Sequence, residues 1–275
     1  MKVICGTSSE RLGTEICDRL ECEKSKVEIV RFPDSECYVR IGENLDGEDV
    51  LLVCNSYPDR NIIELFLLQD AINTFKIKSL TTLIPYFGYG RQDKIFKPGE
   101  SIVAHGMARR IGLCTDRVIV VDIHESAIVN WFGCECISVS AMRDIGIFFR
   151  VEKGVDLIIA PDEGALGLAR TAADAACVEY DYIVKHRIYL QGARQVYVAC
   201  THGLFSEEVC SHLNPNIKLT SSSYSRKLIS ELQKILDNDH SRMKSPHDDV
   251  LFCTDTLDNP CSVISVAGAI IEEIR

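Results

Sequence analysis

Solid apolar runs alternate with stretches of helical periodicity along most of this chain. Lys2-Val3-Ile4-Cys5 reads as a first strand, and Leu12, Ile16 and Leu20 then recur at helical spacing behind an N-cap choice at Ser8 or Ser9. Residues 27–32 alternate as a second strand that Pro33-Asp34 stops, and residues 37–41 form a short strand beside it. Residues 50–54 are a buried strand, followed by a helix from Asn61 to about Phe75. Leu80, Leu83 and Ile84 mark the next strand, which Pro85 ends because it has no N–H to give. A helix from Ser101 to about Ile111 and a strand from Val118 to Asp122 complete this half. The rhythm restarts after a weak break near Ser138-Val139-Ser140, so the expected domains are 1–140 and 141–275. The second half predicts a helix over 141–149, strands at 157–160, 180–184, 196–200 and 250–253, a helix over 165–177 and a closing helix over 262–274. A polar segment, 214–249, interrupts it and holds a helical run over 227–236. Uninterrupted apolar strands between helices predict an α/β fold: two domains, each a mainly parallel sheet flanked by helices.

Composition narrows the partners. With 275 residues, 46% of them hydrophobic, the chain can build two cores, and its net charge of −10 argues against nucleic acid and anionic membranes. An anionic ligand therefore requires a local basic cluster. Thirteen scattered cysteines form no CxxC pair, and Cys134-Glu135-Cys136 has no second pair to complete a zinc site. The odd count, the absence of a signal peptide before Met1-Lys2-Val3-Ile4-Cys5 and the lack of a membrane-length apolar run predict a cytoplasmic protein that uses cysteine as a small core residue.

The basic cluster lies in Pro85-Tyr86-Phe87-Gly88-Tyr89-Gly90-Arg91-Gln92-Asp93-Lys94-Ile95-Phe96-Lys97-Pro98-Gly99, at the end of a predicted strand. Rings together with Arg91, Lys94 and Lys97 suit an anionic ligand that carries a flat group. Ligands of open α/β sheets lie beyond the carboxyl ends of the strands. Other strand ends carry Asp34 and Glu36, Asp122-Ile123-His124-Glu125, and Asp162. A histidine beside a carboxylate could complete the shell of a shared Mg²⁺, or simply be a hydrogen-bonded strand-end histidine. Lys185 and Arg187, two apart on a strand, face one side and suit a phosphoryl group in transfer.

In order, Arg31-Phe32-Pro33-Asp34-Ser35-Glu36, Pro85 to Lys94, Asp122-Ile123-His124, Ala160-Pro161-Asp162-Glu163-Gly164 and Lys185-His186-Arg187 resemble the ribose-phosphate pyrophosphokinases, the short archaeal type above all. The resemblance runs over residues 1 to about 188 and resumes at about 192–206 and 250–275. It implies two phosphoribosyltransferase-like domains, a homo-oligomer, and transfer of diphosphate from Mg·ATP to ribose 5-phosphate with release of AMP, a step in nucleotide biosynthesis. It implies that Phe32, Asp34, Ser35 and Glu36, partly from a neighbouring subunit, and Arg91, Gln92, Asp93 and Lys94 bind ATP. His124 and Asp162 meet Mg²⁺ or the ribose hydroxyls, Lys185 stabilises charge on the transferring group, and Arg187 lies beside it, in reach of substrate.

The chain also departs from that family. Where the family has a strand ending in Asp-Asp and a glycine-rich loop that cradles the 5-phosphate on backbone N–H groups, Arg187-Ile188-Tyr189-Leu190-Gln191-Gly192-Ala193 runs almost directly into Val196. Asp248-Asp249 lies in a charged tract without glycine, and Ser221-Ser222-Ser223 is a poor substitute because its Cβ atoms crowd a converging backbone. A gapped second sheet and weak turnover are the expected consequences. Ser35 stands where the family usually has a smaller turn residue, often glycine, and 214–249 has no counterpart. Three functions remain open at this point: an active synthetase, a non-catalytic relative that binds nucleotide or a synthetase subunit and regulates it, and a phosphoribosyltransferase-like salvage enzyme.

Overall fold

The computed structural model describes residues 1–182, 197–204, 251–259 and 262–274. They fall into two compact units: Met1–Ser140 with Thr256–Asp258 and Ala267–Arg275, and Ala141–Asp255 with Asn259–Val266. The closing helix is thus grouped with the first unit rather than with the residues that precede it.

The first unit is built on a six-stranded parallel sheet. Its strands are β1 (Lys2–Cys5), β2 (Glu23–Lys24), β5 (Asp49–Val53), β6 (Ser79–Ile84), β7 (Arg117–Val121) and β8 (Glu135–Val139). Their order is β2-β1-β5-β6-β7-β8, with Val3 opposite Leu51, Leu51 opposite Thr81, and Val120 opposite Ser138. The central strands are solid runs because both faces are covered. One face receives α2 (Asp59–Ile72) and α3 (Val103–Gly112): Ile4, Val50, Leu52, Leu65, Leu68, Ile72, Ala104, Ala108, Val118 and Val120 form one buried cluster there. The other face receives α1 (Glu10–Leu20), whose Gly13 backbone lies against Cys5 and Val53. The last helix, α6 (Ala267–Ile274), packs on α1 and β8. Cys5, Cys17, Cys54 and Cys253 are buried thiols.

Strands β3 (Val27–Arg31) and β4 (Cys37–Ile41) pair antiparallel, Val27 opposite Ile41 and Arg31 opposite Cys37, outside the main sheet. Their inward residues Val27, Ile29, Val39 and Ile41 pack on the α2 side of the core, so the hairpin projects its turn beside that helix.

Several expected boundaries shift. The helices expected from Asn61 and Ser101 begin at Asp59 and Val103. Of residues 138–140, expected as a break, Ser138 and Val139 end the edge strand β8 and only Ser140 lies beyond it, and residues 126–131 form a 3₁₀ turn. Residues 262–274, expected as one helix, form strand β13 (Ser262–Ile264) and then α6.

The second unit contains α4 (Met142–Phe148), which widens into a π turn over Phe149–Lys153, then β9 (Leu157–Ala160), α5 (Leu166–Ala176) and β10 (Glu179–Tyr182). It also contains β11 (Val198–Cys200), β12 (Leu251–Thr254) and β13. Among the described residues these strands form two separate parallel ladders, β10-β9 and β11-β12-β13. Helices α4 and α5 touch through backbone: a Cβ on Gly146 would sit 2.1 Å from Ala172 O, and Ala169, Ala172, Ala173 and Ala176 are buried. Phe148, Phe149, Tyr197 and Phe252 form an aromatic cluster, with Lys153 Nζ 4.8 Å from the Phe252 ring centre. The polar segment 214–249, its expected helix over 227–236 and the junction 187–196 lie outside the described residues.

Close backbone packing makes a stability prediction. A Cβ on Gly112 would lie 1.9 Å from Phe132 O, whereas one on Gly167 of α5 meets nothing within 4 Å. Gly112→Ala is expected to lower the unfolding free energy by about 2–3 kcal/mol, as overpacking does. Gly167→Ala is expected to raise it by about 0.4–1 kcal/mol through the unfolded chain's lost freedom. Urea titration of both variants checks the contrast.

Candidate active site

The carboxyl ends of β5, β6 and β7 open into three polar segments, and the β3–β4 turn adds a fourth. Among the described residues five non-glycine positions have positive φ: Glu21 (52°), Ser35 (75°), Tyr89 (64°), Asp122 (40°) and Cys177 (55°). Glu21 and Cys177 are left-handed caps that end α1 and α5, a common use of that conformation. The other three, Ser35, Tyr89 and Asp122, fall one each in the hairpin turn, the basic loop and the β7 exit. Side chains held there store about 1–3 kcal/mol each, and such strain gathers at binding sites.

The basic loop is pinned at its root by the residues that follow β5. Asn55 Oδ1 accepts from Tyr86 N at 2.7 Å, and Ser56 Oγ accepts from Gly88 N at 2.8 Å. Gly88 approaches so closely that a Cβ would lie 2.5 Å from Ser56 O. Tyr89 Oη donates to Asp59 Oδ1 at 2.7 Å, and this bond to a carboxylate raises the phenol's pKa above its ordinary value. Gln92 N donates to Tyr89 O and Ala104 N to Gln92 O, so the loop's first half is tied to α3. At the far end Glu100 Oε2 accepts from Phe96 N and Lys97 N, at 2.8 and 2.9 Å. Lys94 Nζ lies 5.5 Å from the Phe96 ring centre. Arg91, Gln92 and Lys94 are exposed, and Asp93 is half-buried.

The β7 exit meets this loop. Asp122 N donates to Val139 O, holding the turn to β8, and His124 follows, exposed. The Gly90 backbone lies against His124: a Cβ there would stand 3.4 Å from His124 Cβ. In the hairpin turn, Ser35 N donates to Phe32 O and Phe32 N to Glu36 O, and Asp34 Oδ1 accepts from Glu36 N at 3.1 Å. Phe32 stays 47% exposed, its ring 6.4 Å from Tyr38. The positive φ explains why glycine would suit position 35 and what serine costs there.

In the second unit, Asp162 Oδ1 accepts from Ala165 N at 3.0 Å and caps the turn Glu163–Ala165. Lys185 and Arg187 lie outside the described residues. Among the described residues no three His, Cys, Asp or Glu side chains group closely enough to hold a metal ion. That donor set fits Mg²⁺ arriving with a polyphosphate, since this ion keeps waters and takes few protein ligands, and it does not fit an all-protein metal cage.

Four residues that organise these segments escaped the sequence reading: Asn55, Ser56, Asp59 and Glu64. The last is completely buried on α2, and its carboxylate accepts from Thr7 N at 2.6 Å and from Arg31 Nη2 at 3.0 Å. The available signal was a glutamate between Ile62 and Leu65, on the face of α2 that also carries Leu68 and Gln69.

Residues 1–113 match the model for the N-terminal domain of ribose phosphate pyrophosphokinase. The ribose-phosphate pyrophosphokinase of Methanopyrus kandleri is 29% identical, the match covering all of this chain and 99% of that one. That of Thermococcus kodakarensis is 33% identical over 66% of this chain and 79% of its own length. Among solved structures, phosphoribosylpyrophosphate synthetase from Mycobacterium smegmatis superposes with a TM-score of 0.69 at 19% identity, over 100% of this chain and 97% of that one. That likeness concerns the fold, α/β with two phosphoribosyltransferase-like domains. Sequence over most of an archaeal relative, the N-terminal domain match and the fold agree, and the chain belongs to the ribose-phosphate pyrophosphokinase family.

Proposed function

We propose that this chain is a ribose-phosphate diphosphokinase. The anomeric hydroxyl of ribose 5-phosphate attacks the β-phosphorus of ATP, the bond from that phosphorus to the α-phosphate oxygen breaks, AMP leaves, and the hydroxyl proton is released to solvent. The observation that best supports this is the packing of the basic loop on the β7 exit, the Gly90 backbone against His124, which brings the loop's root to a metal-competent histidine. Phosphoryl-type transfer depends on such positioning and charge neutralisation more than on covalent catalysis.

In this reading Phe32, Asp34, Ser35 and Glu36 receive the adenosine, and Arg91, Gln92, Asp93 and Lys94 receive the polyphosphate. His124 and Asp162 are the candidate Mg²⁺ or ribose contacts, Lys185 stabilises the transferring group, and Arg187 lies beside it, in reach of substrate. Mg²⁺, which His124 and Asp162 would help to hold, would supply charge neutralisation. The exposed ring of Phe32 suits a homo-oligomer in which a neighbouring subunit shares the adenosine. Among the described residues no helix is long and apolar enough to cross a membrane. With thirteen cysteines scattered through the chain, we place the protein in the cytoplasm.

Two measurements test this reading. Arg91→Ala is expected to weaken Mg·ATP binding by about 1.5–3 kcal/mol, the size of a lost charge-assisted hydrogen bond. Calorimetry that finds equal affinities removes Arg91 from the site. The second is AMP release that depends on ribose 5-phosphate. The expected rate for the 275-residue chain is low, because no glycine-rich phosphate loop follows Arg187, and orientation of a substrate is worth up to about 7–11 kcal/mol of barrier. Inserting such a loop between Arg187 and Val196 is expected to raise the rate by orders of magnitude. Fast turnover without the insertion refutes the role given to the loop. No dependence on ribose 5-phosphate in either chain refutes the reaction.

A further inference from the structure

The carboxylate of Glu64 is the most enclosed charged group in the first unit. The residue is 0% exposed, and its oxygens gather donors from two other segments of the chain. Oε1 accepts from Thr7 N at 2.6 Å and, with Oε2, from Thr7 Oγ1 at 3.0 and 2.9 Å, which ties α2 to the turn after β1. Oε2 also accepts from Arg31 Nη2 at 3.0 Å, and the same nitrogen donates to Arg60 O at 2.8 Å. Arg31 is the last residue of β3 and directly precedes the turn Phe32–Glu36. Gly6 makes room for the carboxylate, since a Cβ there would lie 3.0 Å from Glu64 Oε1. The neighbouring Cys54 thiol is pushed up by burial first and by the charge of Glu64 second.

Burying a carboxylate is unfavourable unless charge and hydrogen bonds compensate it, and a well-packed apolar residue often serves stability as well. Stability alone therefore does not account for a glutamate here. What the carboxylate adds is geometric: with Arg60 O, its Oε2 fixes one guanidinium nitrogen of Arg31, and that nitrogen fixes where β3 enters its turn. A separate carboxylate on the same helix, Asp59, holds the basic loop through Tyr89. Helix α2 thus carries two independent tethers, one for each segment of the candidate nucleotide site.

We propose that Glu64 is a positioning residue that sets the hairpin turn for the adenosine half of the nucleotide, acting through Arg31. The proposal rests on the nucleotide reading above and divides the site into two separable halves. Loss of the Glu64 tether frees the turn and leaves the basic loop held by Asp59. Binding of the base should then suffer, while binding of the polyphosphate does not.

The experiment is calorimetry on the full chain with two probes, Mg·ATP and Mg·tripolyphosphate. Glu64→Gln is expected to weaken Mg·ATP by about tenfold or more, in line with the loss of a buried charge pair. Mg·tripolyphosphate affinity is expected to stay within about twofold. Arg31→Met, at a residue whose side chain is 33% exposed, is expected to give the same selective loss, and adding Glu64→Gln to it should change nothing further. A purely structural role predicts equal loss for both probes, or additive effects of the two substitutions, and either result overturns the proposal. Should Glu64→Gln fail to fold, Arg31→Met decides alone: unchanged Mg·ATP affinity overturns the proposal. A wild-type chain that binds neither probe instead overturns the nucleotide reading beneath it.

Discussion

One amide side chain joins the parts on which the first unit's candidate site depends. Asn55, 1% exposed at the end of β5, donates through Nδ2 to Thr256 O at 2.9 Å and to Ser8 O at 3.3 Å. Its Oδ1 accepts from Tyr86 N, and its own N–H donates to Ser8 Oγ at 3.1 Å. The turn after β1, the exits of β5 and β6, and the segment at Thr256 therefore meet at one residue. A parallel sheet must release its strands on one side with several backbone groups still unpaired, and buried polar groups are tolerated only when they are bonded. Asn55 resolves this where three chain exits converge. Ser56 and Asp59 extend the same function along the loop root.

The result is a scaffold in which the charged side chains of the basic loop are exposed and their supports are buried. Arg91 and Lys94 face solvent, while Asn55, Ser56 and Glu64 are almost wholly enclosed. Chain-wide charge of −10 leaves the basic loop as a local exception to the bulk of the protein.

Much of this was legible in the sequence, for identifiable reasons. Residues 50–53 and 118–121 are unbroken apolar runs because both of their faces are covered, and such runs announce central parallel strands. Strand β8 escaped notice because Glu135-Cys136-Ile137-Ser138-Val139 lies at a sheet edge and mixes polar with apolar positions. Strand β13 was absorbed into the helix after it, since its Ser262-Val263-Ile264 continues the apolar character of α6. The candidate site residues stood out by type: Arg91, Lys94 and His124 are unusual at strand ends. Glu64 and Asn55 did not, because a glutamate on a helix or an asparagine after a strand is ordinarily solvated, and only their partners reveal what they do. Lys185 and Arg187 rest on the family resemblance.

The two anchors of the basic loop also govern the entropy of filling it. From Gln92, bonded to Tyr89 and Ala104, to Phe96, bonded to Glu100, only Asp93, Lys94 and Ile95 intervene. Ordering a free backbone residue costs about 1–2 kcal/mol, so immobilising these three costs about 3–6 kcal/mol. A free loop spanning the fifteen residues from Pro85 to Gly99 would forfeit several times as much before any contact with ligand was made. The hydrogen bonds of Asn55, Ser56, Asp59 and Glu100 act, in this sense, as ordering done at folding rather than at each encounter, and they leave binding energy available for discrimination between ligands.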